Sequence, residues 1–279
     1  MIEMNRLGFV TQPNLQLKNS ESDPNRRCYM KSLYAMIIIY LCAPLAFGAI
    51  DDSLVLHLAF DEGSGDKISD DSMYSNHGAL VGKAEWVAGK SGKGIVFNIN
   101  GDSVIVKNSD SLSITMAITM EMWVKLGGGA EIKQAGIEKG GWEGGEYSIY
   151  PFYEGGTVIQ FFDLPAACGD AVIKGKSIQD NQWHYMAGTW DGSKISLYID
   201  GDLERSGDCS GKLLRSAQPV YIGSRNGGER FLVGTVDEVR IYNRALTQDE
   251  VKKDMQTFGP LSVYPSQKLT TCWGDVKQQ

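Results

Sequence analysis

The chain of 279 residues carries a net charge of −7, which argues against a nucleic-acid partner, because proteins that bind phosphate backbones present basic patches or stripes. Its three histidines form no His-x-x-x-His pair and no Cys-x-x-Cys motif occurs, so a zinc site has too few suitably spaced ligands. The length fits one large β-sandwich or two small domains, and the 33 glycines favour a sandwich of many short strands over a parallel α/β sheet.

The first 48 residues are predicted to lie outside the folded domain. Residues 1–29 are polar and without period, so we expect either a disordered extension or a stretch that precedes the true start at Met30. Residues 30–48 combine Lys31, an apolar run over 33–47 and small residues at its end, which is the pattern of a secretory signal cleaved before Ala49. An uncleaved N-terminal anchor is the alternative. The chain is therefore expected to be secreted, periplasmic or displayed at the cell surface, with no membrane span in the mature protein unless this segment is retained.

Three segments in the first half have the pattern of β-structure. Residues 54–60 alternate, which predicts a half-buried strand with His57 on the face opposite the leucines. Residues 93–106 are predicted to form two strands joined as a hairpin at Asn100-Gly101-Asp102. Residues 114–125 alternate again and predict a strand of the central sheet.

Aromatic side chains are concentrated in the middle of the chain. They follow a Gly-rich stretch over 127–145, and they include Trp142, Tyr147, Tyr150, Phe152 and Tyr153. Because aromatic residues carry a large hydrophobic area and sheets favour them, at least two of those after residue 145 are expected to pack inside the sandwich. The alternative is a platform on which sugar rings stack.

The second half begins with the clearest pattern in the chain. Residues 183–201 predict two antiparallel strands joined at Asp191-Gly192, where a type I′ turn needs positive φ at both positions, and Asp200-Gly201 turns the chain again. Residues 233–242 predict a closing strand. Thr247-x-x-Glu250 is a capping box that predicts a short helix to about residue 255, and residues 259–279 are predicted to be a tail.

These blocks carry a resemblance to a known family. The run W-H-x-x-A-x-T-W-D-G with I-x-L-Y-I-D-G, the first strand LVLHLAFDEGSG and the closing strand FLVGTVDEVRIYNRAL resemble the LamG-like jelly roll of the concanavalin A-like lectin/glucanase superfamily. The resemblance implies an all-β domain over residues 49–258, built as a two-sheet antiparallel jelly-roll sandwich with a short C-terminal helix.

The sequence does not predict a catalytic site. Glucanases of the resembled superfamily carry two glutamates on one strand, because retaining hydrolysis needs carboxyl groups about 5–5.5 Å apart. Here Glu121 stands alone on its strand, and the adjacent Asp237 and Glu238 are expected to point to opposite faces. We therefore expect no enzyme activity; a glycoside hydrolase or lyase is the alternative.

The resemblance also implies a calcium ion where the first and last strands lie side by side. Carried over by position, its ligands are the carboxylates of Asp61 and Asp237, the side-chain amide of Asn76 and the backbone carbonyl of Gly78. The alternative is that Asp61 caps a turn and Asp237 accepts hydrogen bonds from backbone amides.

For function, the resemblance implies a non-catalytic module that binds an extracellular glycan or glycoprotein. Stacking on a sugar needs aromatic rings and a few orienting polar groups, and the candidates are Trp142, Tyr150, Tyr153 and Trp86, with Asp170 and Arg225 as polar partners. The alternatives are that these aromatic residues are packing residues, and that the domain is a structural or adhesive module with a protein partner.

Export makes a disulfide plausible, since oxidising compartments permit one. Cys168 and Cys209 lie in loops that flank the central hairpin and are the predicted pair, which leaves Cys272 over. Three free thiols in the mature chain are the alternative, because connectivity does not follow from sequence.

Overall fold

A computed structural model describes residues 49–98, 101–128, 132–141, 144–162, 164, 172–258 and 262–263. The predictions about the extension, the signal and most of the tail fall outside these residues. Within the described part of the chain, no helix is long and apolar enough to cross a membrane.

The described residues form strands and one short α-helix. The strands are β1 (Ala49–Ile50), β2 (Leu54–Leu58), β3 (Lys67–Ile68), β4 (Gly78–Val81), β5 (Glu85–Ala88), β6 (Lys93–Phe97), β7 (Ser103–Val106), β8 (Ile118–Leu126), β9 (Lys133–Gln134), β10 (Ile137–Lys139), β11 (Tyr147–Tyr153), β12 (Gly156–Phe161), β13 (Val172–Lys174), β14 (Trp183–Trp190), β15 (Lys194–Ile199), β16 (Asp202–Asp208), β17 (Val220–Ile222), β18 (Gly234–Tyr242) and β19 (Ser262–Val263). The helix, α1, spans Gln248–Asp254.

Two antiparallel sheets face each other, which confirms the predicted two-sheet sandwich. Across the described strands, the nine-stranded sheet has the order β13-β12-β11-β10-β17-β7-β4-β3, with β9 paired to β11. The eight-stranded sheet has the order β16-β15-β14-β8-β18-β6-β5, with β2 paired to β18. The short strands β1 and β19 pair with each other.

The core lies between the sheets and follows the two-residue period of the strands. On β11, Tyr147 and Ile149 enter the core, and Phe161 of β12 contacts Trp190 of β14 at 5.5 Å between ring centroids. Ser148 and Tyr150 lie on the opposite face of β11, because neighbouring side chains on a strand alternate. That face, turned away from the core, is called the outer face of the nine-stranded sheet below.

The helix explains why the first strand is more buried than its alternation predicts. The capping box is confirmed: the Glu250 amide donates to Thr247 Oγ1 at 3.3 Å, and the Thr247 amide donates to Glu250 Oε2 at 2.8 Å. The residues around α1 then pack on the outer face of the eight-stranded sheet, with Val251 in one cluster with Leu54. Every residue of β2 is buried, so the prediction of a half-buried strand was wrong.

Two turn predictions need correction. Strands β6 and β7 do not pair with each other: β6 pairs with β18 and β5, and β7 pairs with β17 and β4, so the segment predicted as a hairpin crosses between the sheets. The hairpin of β14 and β15 is present, but Trp190 pairs with Ile195, so its loop is longer than two residues. The pair of positive φ angles that defines type I′ occurs at Asp200 (54°) and Gly201 (81°) instead.

Candidate binding face of the nine-stranded sheet

A row of side chains runs across the outer face of the nine-stranded sheet. In register, Gln160 of β12 pairs with Ser148 of β11, Ser148 with Glu138 of β10, Glu138 with Tyr221 of β17, and Tyr221 with Ile105 of β7. Gln160, Ser148 and Glu138 are buried, whereas Tyr221 and Ile105 are half-buried. The face therefore changes along the row from a buried polar end to a more accessible end.

The buried end contains an ion-pair cluster. Arg225 Nη2 lies 2.9 Å from Glu146 Oε2, and Arg225 Nε lies 3.9 Å from Glu138 Oε1; all three side chains are fully buried. Glu138 also accepts hydrogen bonds from the amides of Gly141 at 2.7 Å and Asn226 at 3.2 Å. Two buried carboxylates thus share one guanidinium, whose Nε also lies 3.7 Å from Oε1 of the exposed Glu229, and sequence analysis did not identify this cluster.

Burial changes the pKa of a carboxyl group in this cluster. Burial raises the pKa of Glu138 to about 7, and the charge of Glu146 adds to the rise, while the two backbone amides and Arg225 oppose it. Of the described carboxyls, Glu121 of β8 is also fully buried, and burial raises its pKa well above the usual range. Neither group is an accessible carboxylate.

We expect the free energy of unfolding to decrease as pH rises from about 4.5 to about 7. The pKa of Glu138 is about 7 when folded against a reference of 4.5, so the folded state holds more protons in this window. The stabilisation that Glu138 provides is complete below the unfolded pKa and is lost as pH rises through the folded pKa. At about 1.4 kcal/mol per pKa unit, this stabilisation reaches roughly 3 kcal/mol.

Urea unfolding measured across this pH range tests the prediction. Glu138→Gln should flatten the pH dependence, whereas Glu85→Gln, which changes an exposed carboxylate, should leave it unchanged. Asp237, whose pKa burial also raises to about 7, adds a change of the same sign and remains in both variants. An equal pH dependence in the wild type and in Glu138→Gln would contradict the assignment.

An aromatic patch lies on the same outer face, towards the C-terminal end of β11. It consists of Tyr150, Tyr153, Arg230 and Lys133. The two rings meet edge to face with centroids 5.5 Å apart, and Arg230 Nη1 donates to the Tyr150 hydroxyl at 2.9 Å. The Arg230 guanidinium lies 5.3 Å and 5.7 Å from the two ring centroids, and Lys133 Nζ lies 4.4 Å from that of Tyr153. Cations over aromatic faces fix the orientation of both rings.

The structure brings together only part of the predicted ligand-binding set. Tyr150 is fully buried and Tyr153 is half-buried beside it. Trp86 lies on β5 of the other sheet, half-buried, and its indole nitrogen donates to the Gly65 carbonyl at 3.0 Å. Trp142 and Asp170 fall outside the described residues. The predicted binding roles stay predictions, but Trp86 and the tyrosines do not form one platform.

Sequence analysis missed most of the charged members of this face. Lys133 and Arg230 reach the tyrosines from β9 and from the segment before β18, and Glu146 is placed by the start of β11. The only local signal is that Glu146 directly precedes the aromatic strand. Arg225 was expected to orient a ligand; instead it is engaged with the two buried glutamates.

The predicted calcium ligands are split between two places. Asp61 Oδ1 accepts from the Lys93 amide at 2.8 Å, and Asp237 Oδ2 accepts from the amides of Lys90 and Ser91 at 2.8 and 3.0 Å, so both hold the turn before β6. Asn76 instead donates to the Val55 carbonyl at 2.7 Å.

These contacts match the backbone-bonding alternative for Asp61 and Asp237. Gly78 lies in β4, paired with Val106. Among the residues described, no group of three or more His, Cys, Asp or Glu side chains could hold a metal ion. The four residues do not form a single donor set in this arrangement, and calcium binding stays a prediction.

The adjacent acids of the closing strand point apart, as expected. Glu238 has φ of 51° at a register shift in β18, and its Oε2 lies 2.8 Å from His57 Nε2 and 2.5 Å from Arg240 Nη2. Asp237 bonds to the turn before β6, so the two carboxylates do not converge on one substrate position.

Only one cysteine of the predicted disulfide belongs to the described residues. Cys209 is buried and disulfide-bonded. Its predicted partner, Cys168, lies outside the described residues, so the pairing itself stays a prediction.

Comparison with known proteins agrees with this architecture. Human pappalysin-1 is 27% identical over 107 residues, which are 37% of this chain and 6% of pappalysin-1, so the chain spans a small part of that relative. Domain 4 of AbnA, a GH43 extracellular arabinanase from Geobacillus stearothermophilus, in complex with arabinotriose, aligns with a TM-score of 0.58 at 22% identity, over 73% of this chain and 98% of that one.

The binding domain of Paraclostridial Mosquitocidal Protein 1 aligns with a TM-score of 0.57 at 21% identity. The alignment covers 73% of this chain and 52% of that one, so the match spans about half of the latter structure. Residues 98–252 match the family Laminin_G_3, described as concanavalin A-like lectin/glucanases superfamily. Because this match covers more than half of the chain, the protein belongs to the Laminin_G_3 family of that superfamily.

Proposed function

We propose that this protein is an exported, non-catalytic binding module that recognises carbohydrate on an extracellular glycan or glycoprotein. The observation that carries the proposal is the aromatic patch of Tyr150, Tyr153, Arg230 and Lys133 on the outer face of the nine-stranded sheet. A half-buried ring held by two cations offers an apolar surface for the C–H face of a sugar, beside N–H donors for its hydroxyls.

The parts of the patch have different roles in this proposal. Tyr153 is the accessible ring and stacks on the sugar. Tyr150 is fully buried, so it positions Tyr153 from behind and holds Arg230 through its hydroxyl. Lys133 is anchored by Glu154 Oε1 at 3.1 Å and lies 4.4 Å from the Tyr153 ring centroid, so its ammonium group lies beside the accessible ring. A platform that is ordered before binding loses less conformational entropy on association.

The comparisons support carbohydrate as the ligand. The arabinanase domain, which this chain covers almost completely, was solved in complex with arabinotriose. The mosquitocidal and botulinum neurotoxin structures are described as binding or receptor-binding domains, which favours a binding role without specifying the ligand.

Glycoside hydrolysis is the alternative that the structure addresses most directly. Glu138 and Glu146 provide the pair of carboxylates that sequence analysis did not find. Both are fully buried and share Arg225, so a substrate cannot reach either oxygen without breaking the ion pairs. The pair stabilises the face in this proposal and takes no part in a reaction.

Titration calorimetry of the full chain with arabinotriose, together with a glycan array, tests the proposal. Tyr153→Ala should weaken binding by about tenfold or more, since truncation of a central aromatic contact costs at least about 1.4 kcal/mol. Phe258→Ala removes an exposed aromatic side chain elsewhere, and Trp86→Ala removes the predicted aromatic residue of the other sheet. Both should bind like the wild type.

Three outcomes would contradict the proposal. Absence of any saccharide binding would favour the protein-binding alternative. Loss of binding in Trp86→Ala with retention in Tyr153→Ala would place the site on the other sheet. Release of reducing sugar during the titration would show catalysis.

A further inference from the structure

A second feature of the outer face lies away from the aromatic patch. At the end formed by β4 and β7, a pocket of about 700 Å³ is lined by the loop from Tyr74 to Gly78 and by the segment from Lys107 to Ser109. Its floor is Ala79 and Ile105, which are direct neighbours in register. The pocket therefore has an apolar floor between two polar walls.

Three side chains of the walls, His77, Lys107 and Asn108, can donate hydrogen bonds. His77 Nδ1 accepts from the Asp70 amide at 3.0 Å, so the neutral ring carries its proton on Nε2 and donates from there. Asn108 Oδ1 accepts from Lys139 Nζ at 2.6 Å and from Ser113 Oγ at 3.3 Å, which leaves its NH2 group as a donor. Lys107 adds an exposed ammonium group.

Negative charge is kept out of this pocket although the chain is acidic overall. None of the pocket-lining residues in the described structure is Asp or Glu. The nearby carboxylate of Asp70 is occupied by the amides of His57, Ser72 and Asn76. Asp110 pairs with Arg215 at 2.6 Å.

We propose that this pocket binds an oxyanion, a carboxylate or a sulfate, carried by a sugar-sized molecule. Lys107, His77 Nε2 and the Asn108 amide hold the oxyanion by charge-assisted hydrogen bonds, and the apolar floor contacts the body of the ligand. The proposal does not depend on the aromatic patch, because the two sites lie on different strands.

Titration calorimetry of the full chain with glucuronate, glucose 6-sulfate and glucose tests it. At least one of the two anions should bind about tenfold or more tightly than glucose, because hydrogen bonds to an ionised oxygen are stronger than those to a neutral hydroxyl. The tighter of the two anions identifies the oxyanion. Added salt should weaken the binding of both anions, because it screens their attraction to Lys107.

Two lysine variants separate the pocket from a general charge effect. Lys107→Gln should remove the preference for the anion, whereas Lys212→Gln, the same change at an exposed lysine outside the pocket, should retain it. Equal affinity for glucose and both anions, or equal loss in both lysine variants, would overturn the proposal. Tyr153→Ala should leave anion binding intact, so this site and the proposed carbohydrate patch can fail independently.

Discussion

Arg225→Leu is expected to lower the free energy of unfolding by about 3–5 kcal/mol, because it leaves uncompensated charge buried. The guanidinium contacts Glu146 at 2.9 Å and lies 3.9 Å from Glu138, and none of the three side chains is exposed. Removing it deprives Glu138 and Glu146 of the guanidinium that they share. Chemical denaturation of the full chain at pH 8 measures the loss.

The same variant should respond to pH in a diagnostic way. Without Arg225, which opposes the rise in the pKa of Glu138, this carboxyl prefers the protonated form still more strongly, so the variant should recover part of its stability between pH 8 and pH 5. Adding Glu138→Gln to Arg225→Leu should restore stability further, since the second change removes one buried charge. Arg205→Leu, at an exposed position of β16, is the matched control and should cost little. A loss below about 1 kcal/mol in Arg225→Leu would show that the cluster is solvated and does not support this face.

Asp237→Ala is expected to lower the melting temperature strongly whether or not calcium is present. Its carboxylate accepts the amides of Lys90, Ser91 and Glu238 at 2.8, 3.0 and 2.9 Å. The Glu238 amide is buried, and a buried amide left unsatisfied costs about 1–3 kcal/mol, while the partly buried amides of Lys90 and Ser91 add less. The turn before β6 should lose its anchor to β18, a strand that pairs with β2, β6 and β8 in the eight-stranded sheet.

Melts in calcium and in chelator separate this structural role from metal binding. Loss of equal size in both conditions supports the backbone-bonding role alone. A clearly larger loss in calcium supports the predicted ion, because a ligand that binds only the folded state raises the midpoint by mass action. Asp66→Ala changes an exposed aspartate of the same region and should shift neither melt. An unchanged melting temperature of Asp237→Ala in chelator would contradict the structural role.

Elements whose pattern depends on near neighbours were predictable from the sequence. The alternation of β14 and β15, the closing strand β18 and the capping box of α1 each follow from residues a few positions apart, and the structure contains all of them. The hairpin predicted over residues 93–106 failed, because Asn100-Gly101 signals only a reversal of the chain. Whether the two flanking strands pair or enter different sheets depends on strands far away in sequence.

The binding face shows the same division. The sequence predicts that Tyr150 and Tyr153 lie close together, since they belong to one strand. The charged residues around them could not be predicted in this way, because Arg230 and Lys133 belong to distant segments of the chain. Glu138, Glu146 and Arg225 come together only through the pairing of β10, β11 and β17. The sequence by itself determined the family, the sandwich, the main strands and the helix cap, because these depend on period and on residues a few positions apart. Only the tertiary structure decided which side chains are buried together and which charged side chains meet on the outer face. These contacts are set by the register between neighbouring strands, and no local sequence pattern encodes that register.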